Sequence, residues 1–238
     1  MWRAAFRPPP PCYRKGVDEL PIFPLDVVVF PGMTVPVTVT EERYRRLVRL
    51  ALAQPTEPKR FITTLARKNA PIRDTPVELE RFGTLVHVLS VEESDDGGFE
   101  LLVHGQERCD VVVTRREDVP EQGGATRPLS FAEFTPAPVG RDDPNAEAVA
   151  AWDAIDTFRT YAGTLFKGDA VTEIDQHLPE DPFYQASFVC ANIRVPPATK
   201  QPLLAAPSLR ERFDMARTIM LEKLERKGRG GRSGRSRA

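Results

Sequence analysis

The sequence is poor in cysteine and histidine, and it has no long apolar run. It contains three cysteines and three histidines among 238 residues. The cysteines, Cys12, Cys109 and Cys190, are too far apart to act as paired metal ligands, and an odd number cannot form a complete set of disulfides. A membrane span is excluded because no run of about 18 apolar residues occurs. Prolines at 8–11 interrupt the place of a signal-peptide helix, so we expect a cytoplasmic protein with free thiols.

Motifs for catalysis and for nucleotide binding are also missing. The sequence has no GxxxxGK(S/T) phosphate loop, no HExxH pair and no GxSxG elbow. His87, His104 and His177 do not have the spacing of metal ligands. Cys109 with His104 is a conceivable nucleophile and base, but a cysteine on a β-branched strand is usually a small buried hydrophobe. We therefore expect no metal, no cofactor and no enzymatic activity, and an enzyme whose site follows no known motif stays open as an alternative.

The charge is distributed unevenly along the chain. The net charge is −1, from 33 basic and 34 acidic residues. Residues 1–16 and 226–238 contain ten of the basic residues and none of the acidic ones, so the sequence between them is strongly acidic. A nucleic-acid-binding domain usually carries its positive charge on the folded face that meets phosphate. We therefore expect nucleic acid to bind weakly at most, through the basic tail.

The first half of the chain has the pattern of short strands separated by turns. Apolar and β-branched segments predict strands at 20–23, 27–30, 35–39, 61–65, 84–91, 99–104, 109–114 and 129–134. The residues Asp95-Asp96-Gly97-Gly98 predict a hairpin turn between the strands at 84–91 and 99–104. A polar stretch at 67–76 predicts a loop.

Helices are predicted mainly in the second half. Helical spacing and capping residues indicate helices at 41–53, at 145–167, after Asp181, near 200–205 and after Ser208. Strands followed by helices indicate an α+β fold. The predicted organisation is a disordered basic leader (1–16), a β subdomain with one helix (17–140), a helical subdomain (141–225) and a disordered basic tail (226–238).

The helix at 41–53 has one apolar side and several arginines. Thr40 is the predicted N-cap. Tyr44, Leu47, Val48 and Ala51 form the apolar side, which predicts that the helix lies across a sheet. Its four arginines, Arg43, Arg45, Arg46 and Arg49, are expected in water.

The segment ELPIFPLDVVVFPGMTVPVTVTEERY at 19–44 resembles the opening of the Lon protease N-terminal substrate-binding domain. That family typically begins with LP, an apolar residue and FPL, followed by an apolar run ending in FPG, a proline, and E-x-R-Y. In this chain the last element is represented by Glu42, with Tyr44 following Arg43. The pattern extends over about 25 residues and is far more specific than a lone glycine motif.

Later segments resemble the same family. Phe82-Gly83-Thr84 is similar to its GT-containing strand, and Gly105 with Arg108 is similar to its G-x-x-R element, although Cys109 stands where an aromatic residue is usual. The run KQPLL at 200–204 is similar to the KQ-x-LL element. The resemblance covers roughly residues 19–225.

The resemblance implies a PUA-like β-barrel followed by a helical bundle. The sequence resembles the stand-alone form of the domain, without an ATPase or a Ser-Lys peptidase. This implies a non-catalytic module that recognises unfolded or tagged polypeptides, as an adaptor in protein quality control that works with a separate ATP-dependent protease.

Four residues are the candidates for polypeptide contact: Phe30, Met33, Val35 and Tyr44. A loop that exposes a phenylalanine and a flexible methionine would contact extended peptides, together with strand addition at a barrel edge. Burial of Phe30 in the core is the alternative. An RNA-binding PUA-like module, using Arg43, Arg46 and Arg49, is the second functional hypothesis.

Overall fold

A computed structural model describes residues 19–67, 78–121, 123–166 and 170–233. The predicted leader, most of the predicted loop at 67–76 and the last five residues of the tail therefore lie outside the described residues. The chain forms two compact units. The first combines the residues up to Pro138 with Pro196–Leu204, and the second combines Val139–Val195 with the residues from Ala205 onwards.

The first unit is built on an eight-stranded sheet. Its strands are β1 (Glu19–Leu25), β2 (Thr34–Val39), β3 (Arg60–Ala66), β4 (Leu79–Glu93), β5 (Phe99–Asp110), β6 (Val113–Pro120), β7 (Thr126–Glu133) and β8 (Thr135–Pro136). Their order is β2-β5-β4-β3-β1-β7-β6, and β8 pairs with β5. Only β1 and β3 are parallel among these pairs. The path has two ends, so the described strands form an open sheet rather than the barrel that the resemblance implies.

Helix α1 (Glu42–Leu52) covers one face of the sheet. Tyr44, Leu47, Val48 and Ala51 are buried in one cluster with side chains of the sheet, which confirms the predicted apolar side. The predicted N-cap at Thr40 is wrong. Instead, the Glu121 carboxylate accepts hydrogen bonds from the first two amides of the helix at 3.1 and 3.2 Å.

Four strand predictions need correction. Val27–Phe30 is not a strand, because its backbone is held by bonds outside the sheet ladder, including one from Thr84 Oγ1 to Val29 O at 2.6 Å. The hairpin strands β4 and β5 are longer than predicted. The predicted strand at 109–114 is divided between β5 and β6, since the pairing of β5 ends at Asp110 and the pairing of β6 begins at Val113.

The second unit contains four helices among its described residues. These are α2 (Pro144–Gly163), α3 (Ala170–His177), α4 (Pro182–Asn192) and α6 (Leu209–Ser233). The Asp181 carboxylate caps α4 by accepting a hydrogen bond from the Phe183 amide, as its motif predicts. Ser208 Oγ likewise accepts a hydrogen bond from the Glu211 amide at the beginning of α6. Leu209, Phe213, Ala216 and Met220 of α6 are buried, and so is Arg212.

Three features of the helices differ from the sequence-based expectation. Helix α3 was not expected. Helix α6 continues to Ser233, eight residues into the segment expected to be disordered, since no proline interrupts it and each added residue gains a backbone hydrogen bond. Trp152, one of the apolar residues that recur at helical spacing in the predicted helix at 145–167, is 66% exposed, because Ala151 and Ala154 occupy the buried side of α2 instead.

Helix α5 (Pro197–Ala205) lies almost entirely in the first unit, whereas the sequence predicts it within the helical subdomain at 141–225. Buried Arg108 donates hydrogen bonds to the carbonyls of Ala137, Pro138 and Leu204 at 2.6, 2.9 and 3.0 Å. Gln201 Nε2 donates to Phe82 O at 2.8 Å. These contacts attach α5 to β4 and β5, and they give Arg108 of the G-x-x-R element a structural role.

Cys109 is expected to be unreactive in the folded protein. The side chain is fully buried, and burial, with smaller contributions from Glu107 and Asp110, raises the pKa of the thiol to about 12. Because the thiolate is the reactive form, alkylation of native protein at pH 8 should leave Cys109 unmodified, whereas alkylation in urea should modify it fully. Peptide mapping by mass spectrometry measures this, and rapid labelling of Cys109 in native protein would contradict it.

Candidate functional site

The two ends of the sheet are the places where backbone groups can accept an added strand. Within the described part of the chain, β2 pairs only with β5 and β6 pairs only with β7. Each therefore has an outer edge of unpaired N–H and C=O groups, which is a template for another chain.

The two edges differ in side-chain charge. Strand β6 contains Arg115, Arg116, Glu117 and Asp118, and charged side chains commonly protect an edge from pairing. Strand β2 has the sequence TVPVTV and contains no charged residue. The β2 edge is therefore the less protected one, with Pro36 as its one blocking residue.

The register of β2 shows which backbone groups face outward. The amide of Gly105 donates to Met33 O at 2.8 Å, which places the backbone of Met33 toward β5. Residues alternate between facing the partner strand and facing away in an antiparallel ladder. Thr34, Pro36 and Thr38 consequently face outward. Since proline has no N–H, the free donors of this edge are the amides of Thr34 and Thr38.

An apolar strip lies on the solvent face beside this edge. Pro36 is directly opposite Leu102 of β5. On its other side, Leu102 pairs with Ser90 of β4, and Leu89, the residue before Ser90, lies in a β-bulge. Leu102 is 37% exposed and Leu89 is 57% exposed. We call Thr34, Pro36, Thr38, Leu89 and Leu102 the β2 edge site. An extended segment added to β2 would align its side chains with this strip.

Of the four predicted contact residues, two lie beside this site and two lie in the core. Phe30 is fully buried, as the core alternative expects, and its amide donates to Met33 Sδ at 3.1 Å. Tyr44 packs on Phe23 at 4.4 Å between ring centroids, and burial raises its pKa to about 12. Met33 and Val35 are half-buried against the core cluster at the beginning of β2.

The glycines of the FPG and G-x-x-R elements are needed for close packing between these segments. Gly32 has a positive φ of 89° and its amide donates to Gly105 O at 2.8 Å. A Cβ on Gly105 would lie 2.5 Å from Phe30 O. These two motifs are therefore in contact, and they hold the turn that leads into β2.

The arginines of the nucleic-acid hypothesis are paired with carboxylates. Arg43, which the sequence places in water, is buried and contacts Glu41 at 2.9 Å because it folds back over the Tyr44 ring. The other two remain exposed. Arg46 contacts Glu117 at 2.5 Å, and Arg49 contacts Glu42 at 2.9 Å.

A cleft of about 520 Å³ lies between α1 and β6. Its walls contain Arg46, Arg49 and the two carboxylates that they contact, with Leu50 and Pro120 as apolar neighbours. A ligand entering this cleft would compete with the existing ion pairs. The cleft is therefore a less favourable polypeptide site than the β2 edge.

The histidines do not form a metal site in the described residues. No group of three His, Cys, Asp or Glu side chains is placed to hold a metal ion there. His87 and His104 are opposite each other on β4 and β5. Burial, with repulsion from His104 and Arg60, lowers the pKa of His87 to about 4, so His87 is neutral near pH 7.

The sequence patterns did not predict Leu89 and Leu102 as site residues. The alternation within 99–104 carries a signal for Leu102, since Glu100 and Leu102 fall on the same side of a strand whose other side is Phe99, Leu101 and Val103. The bulge that exposes Leu89 has no comparable signal. Among the described residues, no helix is long and apolar enough to span a bilayer.

Comparison with protein-family models finds one family over most of the chain. The model of the ATP-dependent protease La (LON) substrate-binding domain matches residues 19–222. The Lon protease of Xanthomonas oryzae pv. oryzae is 30% identical over 223 residues, which cover 90% of this chain and 25% of that protein. The Lon protease of Escherichia coli K12 is 26% identical over 209 residues, 87% of this chain and 25% of that protein. The chain thus spans about a quarter of the length of these relatives.

Solved structures show the same fold. The N-terminal domain of a Mycobacterium avium complex Lon protease has a TM-score of 0.64 at 19% identity, covering 85% of this chain and 98% of that structure. A Lon N-terminal domain protein from Xanthomonas campestris has a TM-score of 0.51 at 18% identity, and the match covers 83% of this chain and 96% of that structure. At these identities the likeness concerns the fold.

Proposed function

This chain belongs to the Lon substrate-binding domain family, and from this premise we propose that it is a recognition module that binds extended polypeptide segments at the β2 edge site. The observation that carries the proposal is an uncharged edge strand beside exposed Leu89 and Leu102. Strand addition uses backbone hydrogen bonds for affinity and side-chain contacts for selectivity, so it suits unfolded chains of many sequences.

The proposal includes a cellular role. The module acts without catalysis of its own, as an adaptor in protein quality control, and presents unfolded or tagged polypeptides to an ATP-dependent protease in the cytoplasm. The family membership supports the link to proteolysis. A PUA-like architecture for the first unit is part of the same proposal.

Binding of RNA is the second candidate, and the side chains do not favour it. Its proposed contacts, Arg43, Arg46 and Arg49, each have a carboxylate within 3 Å. Phosphate would have to displace these carboxylates from the arginines. The excess of acidic residues between the two basic ends further opposes a polyanion.

The proposal predicts polypeptide binding that resists salt. The intact chain is titrated with a permanently unfolded model protein and with a short structured RNA, at about 0.1 M and about 1 M salt. Hydrogen bonds and apolar contacts should keep the polypeptide affinity within about threefold, whereas a polyanion held by several phosphates would lose about 1,000-fold or more. The Arg46→Ala/Arg49→Ala variant should bind the polypeptide normally. Polypeptide binding that disappears at high salt or in this variant would contradict the proposal.

A further inference from the structure

The register of the sheet places different chemistry along the solvent face of the β2 edge. Thr38, Glu100 and Glu92 are directly opposite one another on β2, β5 and β4. The next row on the same face contains Pro36, Leu102 and Ser90. The face therefore changes from acidic to apolar over two residues of β2.

The acidic row lies close to the free edge. Thr38 Oγ1 donates to Glu100 Oε2 at 2.9 Å, which holds this carboxylate against the edge strand. Beyond the end of β2, Glu93, Asp95 and Asp96 of the β4–β5 hairpin add three more exposed carboxylates.

The Arg45 guanidinium lies beside the hairpin turn, with Nη1 3.4 Å from the position that a Cβ on Gly97 would occupy, but it does not form an ion pair with these carboxylates. No salt bridge involves any of the five within the described residues. On the neighbouring helix, Arg45 and Arg49 contact Glu42 instead, at 3.8 and 2.9 Å. Ion pairing therefore does not neutralise Glu92 and Glu100, whereas the hairpin carboxylates have the Arg45 guanidinium nearby.

A strand added to β2 would bring its own side chains beside these two rows. Adjacent strands lie about 4.8 Å apart, and alternate side chains share a face. A residue opposite Thr38 would lie beside the Glu100 carboxylate, within reach of a lysine or arginine. The residue two positions away, opposite Pro36, would cover the strip formed by Pro36 and Leu102.

We infer that the β2 edge selects extended segments in which a basic residue and a large apolar residue are two positions apart. This inference rests on the proposed function, and it specifies which polypeptides the site prefers. The basic residue pairs with Glu100 and Glu92, and the apolar residue covers Leu102. A segment antiparallel to β2 presents the basic residue first, and a parallel segment presents it second.

The test compares fluorescent peptides of about ten residues that are short enough to bind one edge. One peptide has Lys and Leu two positions apart, the second has the same composition with Lys and Leu adjacent, and the third has Glu in place of Lys. The first should bind about fivefold more tightly than either of the others at low salt, as expected for exposed charge pairs. This preference should shrink at high salt, while the salt-resistant part of the binding remains.

Variants of the protein identify the groups responsible. In Glu92→Gln/Glu100→Gln the preference for the first peptide over the third should fall below about twofold. Glu133→Gln, an exposed glutamate on β7, is the matched control and should keep the preference. Equal affinity for the three peptides, or a preference that survives in Glu92→Gln/Glu100→Gln, overturns the inference and leaves the proposed function intact. Failure of every peptide and of the unfolded model protein to bind overturns both.

Discussion

Replacing Arg108 with methionine is expected to lower the free energy of unfolding by about 3–5 kcal/mol. The guanidinium donates to three carbonyls, those of Ala137, Pro138 and Leu204, and it lies 4.9 Å from the centroid of the Phe82 ring. Methionine fills similar volume but leaves the three carbonyls, of which that of Leu204 is buried, without their donor. Urea unfolding followed by circular dichroism measures the loss, and hydrogen exchange should show faster exchange in α5.

Two further variants make this prediction specific. Arg108→Lys keeps the charge but cannot reach three carbonyls with one ammonium group, so it should be intermediate. Arg116→Met removes an exposed arginine of β6 and should change the free energy of unfolding by less than about 0.5 kcal/mol. If Arg108→Met were as stable as Arg116→Met, the role assigned to Arg108 would be wrong.

Replacing Thr38 with proline is expected to weaken polypeptide binding about tenfold or more. The change removes the Thr38 amide, one of the two free donors of the β2 edge, and places a ring where the added strand would lie. The β2–β5 hydrogen bonds should remain, since this amide faces away from β5 as Pro36 does. Fluorescence anisotropy with an unfolded model protein measures the affinity, and urea unfolding measures the effect on stability.

Thr38→Ala is the matched control for this prediction. It removes the same hydroxyl, and with it the bond to Glu100, but retains the backbone amide. For a polypeptide without basic residues, Thr38→Ala should therefore bind within about twofold of the original chain. Equal binding by Thr38→Pro and Thr38→Ala would show that backbone pairing at this edge does not contribute.

Local patterns in the sequence were sufficient to predict several elements. Tyr44, Leu47, Val48 and Ala51 recur at helical spacing, and the helix buries this side on the sheet. Asp181 and Ser208 act as the predicted caps. A capping residue accepts a hydrogen bond from an amide two or three residues later, so the local sequence contains both partners.

Features that depend on distant residues could not be predicted in this way. The carboxylate that caps α1 belongs to Glu121, 79 residues after Glu42. Val27–Phe30 has the composition of a strand, yet the contact with Thr84 holds it outside the ladder. Long-range contacts override local propensity in both cases.

The candidate site was predicted only in part. The sequence predicts a strand at 35–39 and polypeptide binding by strand addition, but it did not identify this strand as an edge of the sheet. Met33 and Val35 do lie at the beginning of that strand, but the exposed surface beside them comes from Leu102 and Leu89 of other strands. Strand order determines which side chains become neighbours of β2, and the sequence pattern did not contain that order.

Amide hydrogen exchange at single-residue resolution tests the central claim most directly. The intact chain is compared with and without a saturating unfolded polypeptide. Binding by strand addition should slow exchange at the amides of Thr34 and Thr38, because both would then donate to the added strand, and exchange along β6 should be unchanged. Binding that protects 113–120, or that leaves Thr34 and Thr38 unprotected, would contradict recognition at the β2 edge.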